Sequence, residues 1–267
     1  MKLARFDFLK LCLQFLFEAM EESSSIGLES LVVARKNTFF KDVDYITISD
    51  SNWVGKSKPC LTYGLRGMAY FYIEVQGPAK DIHSGIYGGS IQEPMTDLVL
   101  LMSSLVDHKG KILIPGLMDD VAPVTEKEHN LYTGIDFDVK CFQEDLGVKS
   151  TLQNNKIDLL MHRWRFPSLS LHGIEGAHAG PGPKTVIPGK VIGKFSIRLV
   201  PNQSYKKIER LTKKYLSKQF KKLNSVNTMR VLSKGGNKAW VTDPFHRHFD
   251  SGRKALKYGK STKADQV

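Results

Sequence analysis

From Arg66 to His248 the hydrophobic pattern changes period in a fixed order, and that order limits the possible folds more than any other feature of the chain. MAYFYIEVQG, starting at Met68, is rich in aromatic and branched residues and reads as a strand. IQEPMTDLVLLMSSLVD, residues 91–107, sets Ile91, Met95, Leu98, Met102 and Leu105 at helical spacing. An irregular stretch is expected from there to about residue 165. SLSLHGIEG and KVIGKFSIRLVP then read as two strands, and SYKKIERLTKKYLSKQFKKL as an amphipathic helix with Ile208, Leu211, Tyr215 and Leu216 on one side. MRVLSK would be the last strand. This β-α-β-β-α-β order predicts a ferredoxin-like α+β domain over residues 66–248.

Upstream the texture differs. Residues 9–18, LKLCLQFLFE, are nearly all apolar and lead to an acidic pair. EESSSIGLESLVVAR reads as a loop and a helix, and DVDYITISDSNW as a second strand. Strand, helix, strand predicts an α/β unit with a parallel sheet in residues 1–65. Ligands of such sheets sit beyond the carboxyl ends of the strands, where Glu21, Glu22 and Asp50 would fall. Residues 249–267 would return to that first domain.

Carboxylates on neighbouring strand ends can share a cation, and one beside a metal-activated water can serve as general base. An EE pair by itself more often marks a solvated helix start. KDIHSG, residues 80–85, places His83 among Gly77, Gly85, Gly88 and Gly89, where the backbone turns tightly and a ligand could approach. Arg198 stands between Ile197 and Leu199 in a strand and needs a carboxylate partner, supplied by a nearby aspartate or by a substrate.

The net charge of +12 is concentrated locally, notably on Lys206, Lys207, Arg210, Lys213, Lys214, Lys218, Lys221 and Lys222. That run has no interleaved aromatic platform and reads as a solvated helix face, so neither nucleic acid nor a membrane is expected as a partner. Cys12, Cys60 and Cys141 match no metal knuckle or redox pair, and Asp7, Lys10 and Gln14 interrupt the N-terminal apolar run. A cytoplasmic location is the expectation.

Six collinear strings carry a closer resemblance: FEAMEES, ARKNTFFKDVDYITISD, KPCLTYGLRG, KDIHSGIYGGS, MHRWRFPSLSLHGIEGA and KTVIPGKVIGKFSIRLVP. Through them the chain, from about Leu11 to about Lys257, resembles the dinuclear-metal exopeptidases of the aminoacylase and carboxypeptidase G group, in the branch of the cytosolic and carnosine dipeptidases. The resemblance implies a catalytic α/β domain with an inserted lid that also makes a homodimer. It implies Glu21 as general base, and Glu22 and Asp50 as ligands of a pair of zinc or manganese ions. His83 would reach across the dimer to polarise the scissile carbonyl, while Thr185 and Arg198 recognise a dipeptide such as Cys-Gly, the arginine holding its terminal carboxylate.

The chain departs from the family in identifiable places. An upstream HxD segment, a bridging aspartate, a downstream glycine-serine loop and a C-terminal histidine ligand have no counterparts here; His246 and His248 align elsewhere. Ala19, Ser24 and Ile26 replace residues that are usually Gly, Gly and Glu. The expectation is an incomplete metal site that does not hold both ions, and no peptidase activity from this chain alone. The alternative is an inactive dimerisation module derived from the lid.

Overall fold

The computed structural model describes residues 13–21, 25–48, 53–55 and 57–264. The chain divides into two compact units between Ser51 and Asn52. The expected mixture of helices and sheets is present.

In the first unit, α1 spans Leu28–Arg35. Gly27 enters it with φ 92°, a left-handed conformation that suits glycine, and accepts a hydrogen bond from the Ser30 hydroxyl at 2.9 Å. Glu29 in the first turn and Arg35 in the last complement the helix dipole. The two strands read from the sequence are a correction: residues 13–20 and 43–48 form none. Phe15, Phe17, Ile46 and Ile48 are exposed, so neither described run has the buried face that a sheet strand would give it.

In the second unit, β1 (Gly64–Leu65) leads into β2 (Gly67–Gln76), then β3 (Ile82–His83), the four-residue α2 (Ser84–Tyr87) and α3 (Pro94–Ser103). The stretch expected to be irregular contains α4 (Glu126–Thr133), α5 (Val139–Leu146) and α6 (Lys156–Trp164). Each starts at a side-chain cap: Thr125, Asp138 and Asn155 accept from the backbone N–H groups of Glu128, Cys141 and Asp158 at 3.2, 2.8 and 2.8 Å. Tyr132 of α4 and Leu160 and Met161 of α6 form a small second core. After them come β4 (Ser168–Glu175), β5 (Val186–Ile187), β6 (Lys190–Leu199), α7 (Tyr205–Lys222), β7 (Thr228–Asn237), β8 (Trp240–Val241) and α8 (Arg247–Ala264).

The main sheet has the order β4-β6-β2-β7, with every neighbouring pair antiparallel. With α3 and α7 as the crossovers, this is the ferredoxin-like arrangement read from the sequence. Strands β2 and β6 match along their full length, Gly67 opposite Leu199 and Gln76 opposite Lys190. Alternation sends Ala69, Phe71, Ile73 and Val75 of β2, and Val191, Phe195, Ile197 and Leu199 of β6, to one face. Leu98 and Leu101 of α3 and Ile208 and Leu216 of α7 cover that face. Phe71 and Phe195 are opposite in register and stack at 5.2 Å. Each such side chain contributes about 1.5–3 kcal/mol by burial. Gly193 lets α3 approach: a Cβ there would lie 2.6 Å from Met102 Sδ and 2.8 Å from Leu98 Cδ1.

One charged group is built into this core. Asp97 is fully buried and accepts from Gln92 Nε2 at 3.1 Å, Ser225 Oγ at 2.5 Å and Asn227 Nδ2 at 2.8 Å. It joins the start of α3 to the turn between α7 and β7. The other face of the sheet carries Met68, Tyr70, Tyr72, Lys194, Ser196 and Arg198. There Tyr70 stacks on His172 at 5.3 Å, and His172 shares a 2.8 Å hydrogen bond with the Ser196 hydroxyl.

Candidate functional site

His83 and Thr185 are brought together by loops at one end of the sheet. β3 pairs with β5, His83 opposite Val186. The Gly77 N–H donates to the Gly189 carbonyl at 2.9 Å, and the Gly189 N–H donates to Asp81 Oδ1 at 2.9 Å. Gly189 lies so close to this turn that a Cβ would fall 2.7 Å from the Pro78 carbonyl oxygen. These bonds fasten the loop after β2 to the loop before β6, and with it His83 to Thr185.

The imidazole has a defined orientation. His83 caps α2, its Nδ1 accepting from the Gly85 N–H at 3.0 Å. A neutral imidazole that accepts at Nδ1 carries its proton on Nε2. Nε2 is 3.0 Å from Thr185 Oγ1 and therefore donates to it, which leaves the threonine hydroxyl proton free to donate onward. Both side chains are exposed.

Arg198 is also exposed, and no carboxylate pairs with it among the described residues. It stands at the opposite end of β6 from the His83 loops. Eight residue steps along the strand separate it from Lys190, roughly 26 Å at about 3.3 Å per step. A dipeptide extends over only about 7 Å. The strand between the two ends of β6 is therefore several times longer than one dipeptide.

Arg66 was not singled out from the sequence, because an arginine in a short LRG run reads as an ordinary surface residue. It is partly buried, its Nη1 donating to the Phe166 carbonyl at 3.2 Å and to Ser168 Oγ at 2.9 Å. Ser168 is the register partner of Arg198. Burial first, then the positive charges of Arg198 and Arg163, lower the pKa of Arg66 to about 10. Arg163 is itself held over the rings of Phe142 and Trp164 at 4.9 and 5.3 Å.

The metal site is not assembled from the described residues. Glu21 is described and exposed, whereas Glu22 and Asp50 lie outside the described residues. Among the described residues no group of three or more His, Cys, Asp and Glu side chains could hold a metal ion. They do not by themselves fit a dinuclear centre. Among them, too, no helix is long and apolar enough to cross a membrane. On α7, Lys207 pairs with Asp120 at 2.7 Å and Lys213 with Glu209 at 2.6 Å.

Comparison with known proteins is consistent with these features. The peptidase dimerisation domain of the M20 family matches residues 63–224. A Cys-Gly metallodipeptidase of Candida albicans is 56% identical over 240 residues, covering 90% of this chain and 49% of that protein. The human Beta-Ala-His dipeptidase is 45% identical over 255 residues, covering 96% of this chain and 50% of that protein. Among solved structures, the Saccharomyces cerevisiae dipeptidase Dug1p superposes with TM-score 0.86 at 50% identity, over 91% of this chain and 51% of that one. Human carnosine dipeptidase 1 gives 0.80 at 49% identity, over 84% and 47%. The chain spans about half the length of the curated relatives it matches. With its ferredoxin-like sheet and its match across residues 63–224, the chain belongs to the M20 peptidase family and carries that family's dimerisation domain.

Proposed function

We propose that this chain serves a metal-dependent dipeptidase as its substrate-gripping and pairing part, and that it works as a homodimer. The observation that carries this reading is the placement of the His83–Thr185 pair and of Arg198 at opposite ends of β6. A second copy, turned about a two-fold axis, supplies what one copy separates. His83 and Thr185 of one protomer then face the scissile carbonyl, while Arg198 of the other holds the terminal carboxylate of a dipeptide such as Cys-Gly. Residues 66–248 are the lid in this reading, and residues 1–65 and 249–267 belong to the catalytic domain. Glu21 is the general base. A pair of zinc or manganese ions, for which Glu22 and Asp50 are the candidate ligands, would supply Lewis-acid chemistry when bound.

A second reading is a dimerisation module with no chemistry of its own. It is favoured by the family match, which falls on the pairing domain. One experiment separates the two. The purified chain is sized by light scattering and assayed for Cys-Gly hydrolysis with added zinc or manganese. A dimer with turnover that Glu21→Gln abolishes would show a working peptidase site, against the incomplete one expected here; a dimer without turnover supports the module. A strict monomer defeats both.

A further inference from the structure

We propose that Arg66 is a second carboxylate-recognising group, forming with Arg198 a paired-guanidinium subsite for the terminal carboxylate of a peptide; this rests on the dipeptide reading above. Four observations converge on it. Arg66 reaches the strand β4 residue that lies directly across the ladder from Arg198, through its 2.9 Å bond to Ser168 Oγ. Its guanidinium is partly buried, yet its hydrogen bonds among the described residues go to a carbonyl and a hydroxyl and to no carboxylate. Arg198 likewise has no carboxylate partner there. The neighbouring charges that act on Arg66 are both positive, Arg198 and Arg163.

Desolvating a cation beside two like charges is unfavourable unless an anion completes the group. A guanidinium has five donors in a fixed fork, and Arg66 uses one nitrogen to lock its position. Among the described residues Nε and Nη2 make no hydrogen bond, which leaves their donors available to an anion. Arg198, exposed and on the open face of the sheet, supplies a second fork. The half-buried arginine is held in place before binding, so it loses little side-chain entropy when the carboxylate arrives. Such a site discriminates against peptides whose C-terminus is neutral, because an amide would leave both forks without a negative charge.

The test is binding of Cys-Gly and of its C-terminal amide to the purified chain, followed through the arginine Nε–Hε NMR signals. The Arg66 and Arg198 signals should move with Cys-Gly and stay still with the amide, and Cys-Gly should bind about tenfold tighter. Arg66→Lys should weaken Cys-Gly binding about tenfold and leave binding of the amide unchanged. Ser168→Ala keeps the guanidinium but frees it, and should weaken binding to a smaller degree; it also serves if the lysine variant does not fold. An unmoved Arg66 signal, equal affinity for the two peptides, or unchanged affinity in Arg66→Lys would overturn the subsite. Hydrolysis is scored separately. Carboxylate-selective binding without turnover leaves the subsite standing and removes the peptidase reading. Turnover with an unchanged KM in Arg66→Lys does the reverse.

Discussion

The imidazole of His83 and the hydroxyl of Thr185, 102 residues apart in sequence, meet at 3.0 Å. The Gly85 N–H occupies Nδ1 on the other side of the ring, so the proton lies on Nε2. Thr185→Val keeps the shape and removes the acceptor. It should cost about 0.5–1.5 kcal/mol at most, since both side chains are exposed. Long-range proton–nitrogen NMR should show the Nε2-protonated form in the parent chain and a shifted Nε2 signal in the variant. An identical spectrum in the two would mean that the bond does not form in solution.

Gly85 leaves room for the His83 ring over the turn. A Cβ there would lie 3.0 Å from His83 Cε1 and 3.1 Å from Nδ1. Gly85→Ala should push the imidazole away, break the bond to Nδ1 and produce a mixture of both neutral tautomers, with a loss of about 1 kcal/mol in stability. The same NMR signals report it, and a chain that keeps one tautomer would contradict the geometry.

Asp97 is fully buried and accepts from three side-chain donors. Its removal leaves the donors of Gln92, Ser225 and Asn227 without their acceptor inside the protein. Asp97→Ala should lower stability by about 3 kcal/mol in urea unfolding. Asp97→Asn should cost less, because the amide keeps one acceptor. A loss below about 0.5 kcal/mol for the alanine variant would mean that water replaces the carboxylate without cost.

Asp136 adds a pH dependence of known sign. It accepts from the Ser57 hydroxyl at 2.5 Å and from the Ser57 and Lys58 N–H groups, both at 3.0 Å. The Ser57 hydroxyl contributes most to holding its pKa below the ordinary 3.8, followed by the Ser57 N–H and then Lys58. A carboxylate with a depressed pKa stabilises the fold fully above its unfolded value and loses that contribution as pH falls through the folded value. Parent and Asp136→Asn should therefore differ most near neutral pH and converge below 3.8, when unfolding is followed down to about pH 2. A constant gap at every pH would rule the mechanism out.

The ferredoxin-like sheet was legible because its signals are local. Alternation in β2 and β6, and the apolar spacing of α3 and α7, each complete within one element. The helices α4, α5 and α6 were missed because each is only two or three turns long and starts at its own cap, α4 and α6 packing around Tyr132, Leu160 and Met161. The strands expected near Phe15 and Ile46 are absent from the described residues there, where the apolar side chains that suggested them are exposed and line no buried sheet face. His83, Thr185 and Arg198 were each singled out as candidates through their motifs. Their division between the two ends of β6 was not, since no motif records distance in space. Arg66 had no signal at all until Ser168 and Arg198 were seen beside it.

The ladder between β2 and β6 also governs how this chain is made. Gly67 pairs with Leu199, and β2 takes its other neighbour from still later residues, in β7. On a ribosome adding about 5–20 residues per second, Gly67 is made roughly 7–26 s before Leu199, its partner across the ladder. For that interval Phe71, Ile73 and Val75 have no strand to join, so β2 is the segment that chaperones should hold during synthesis, and slowing translation between β2 and β6 should lower the yield of soluble protein.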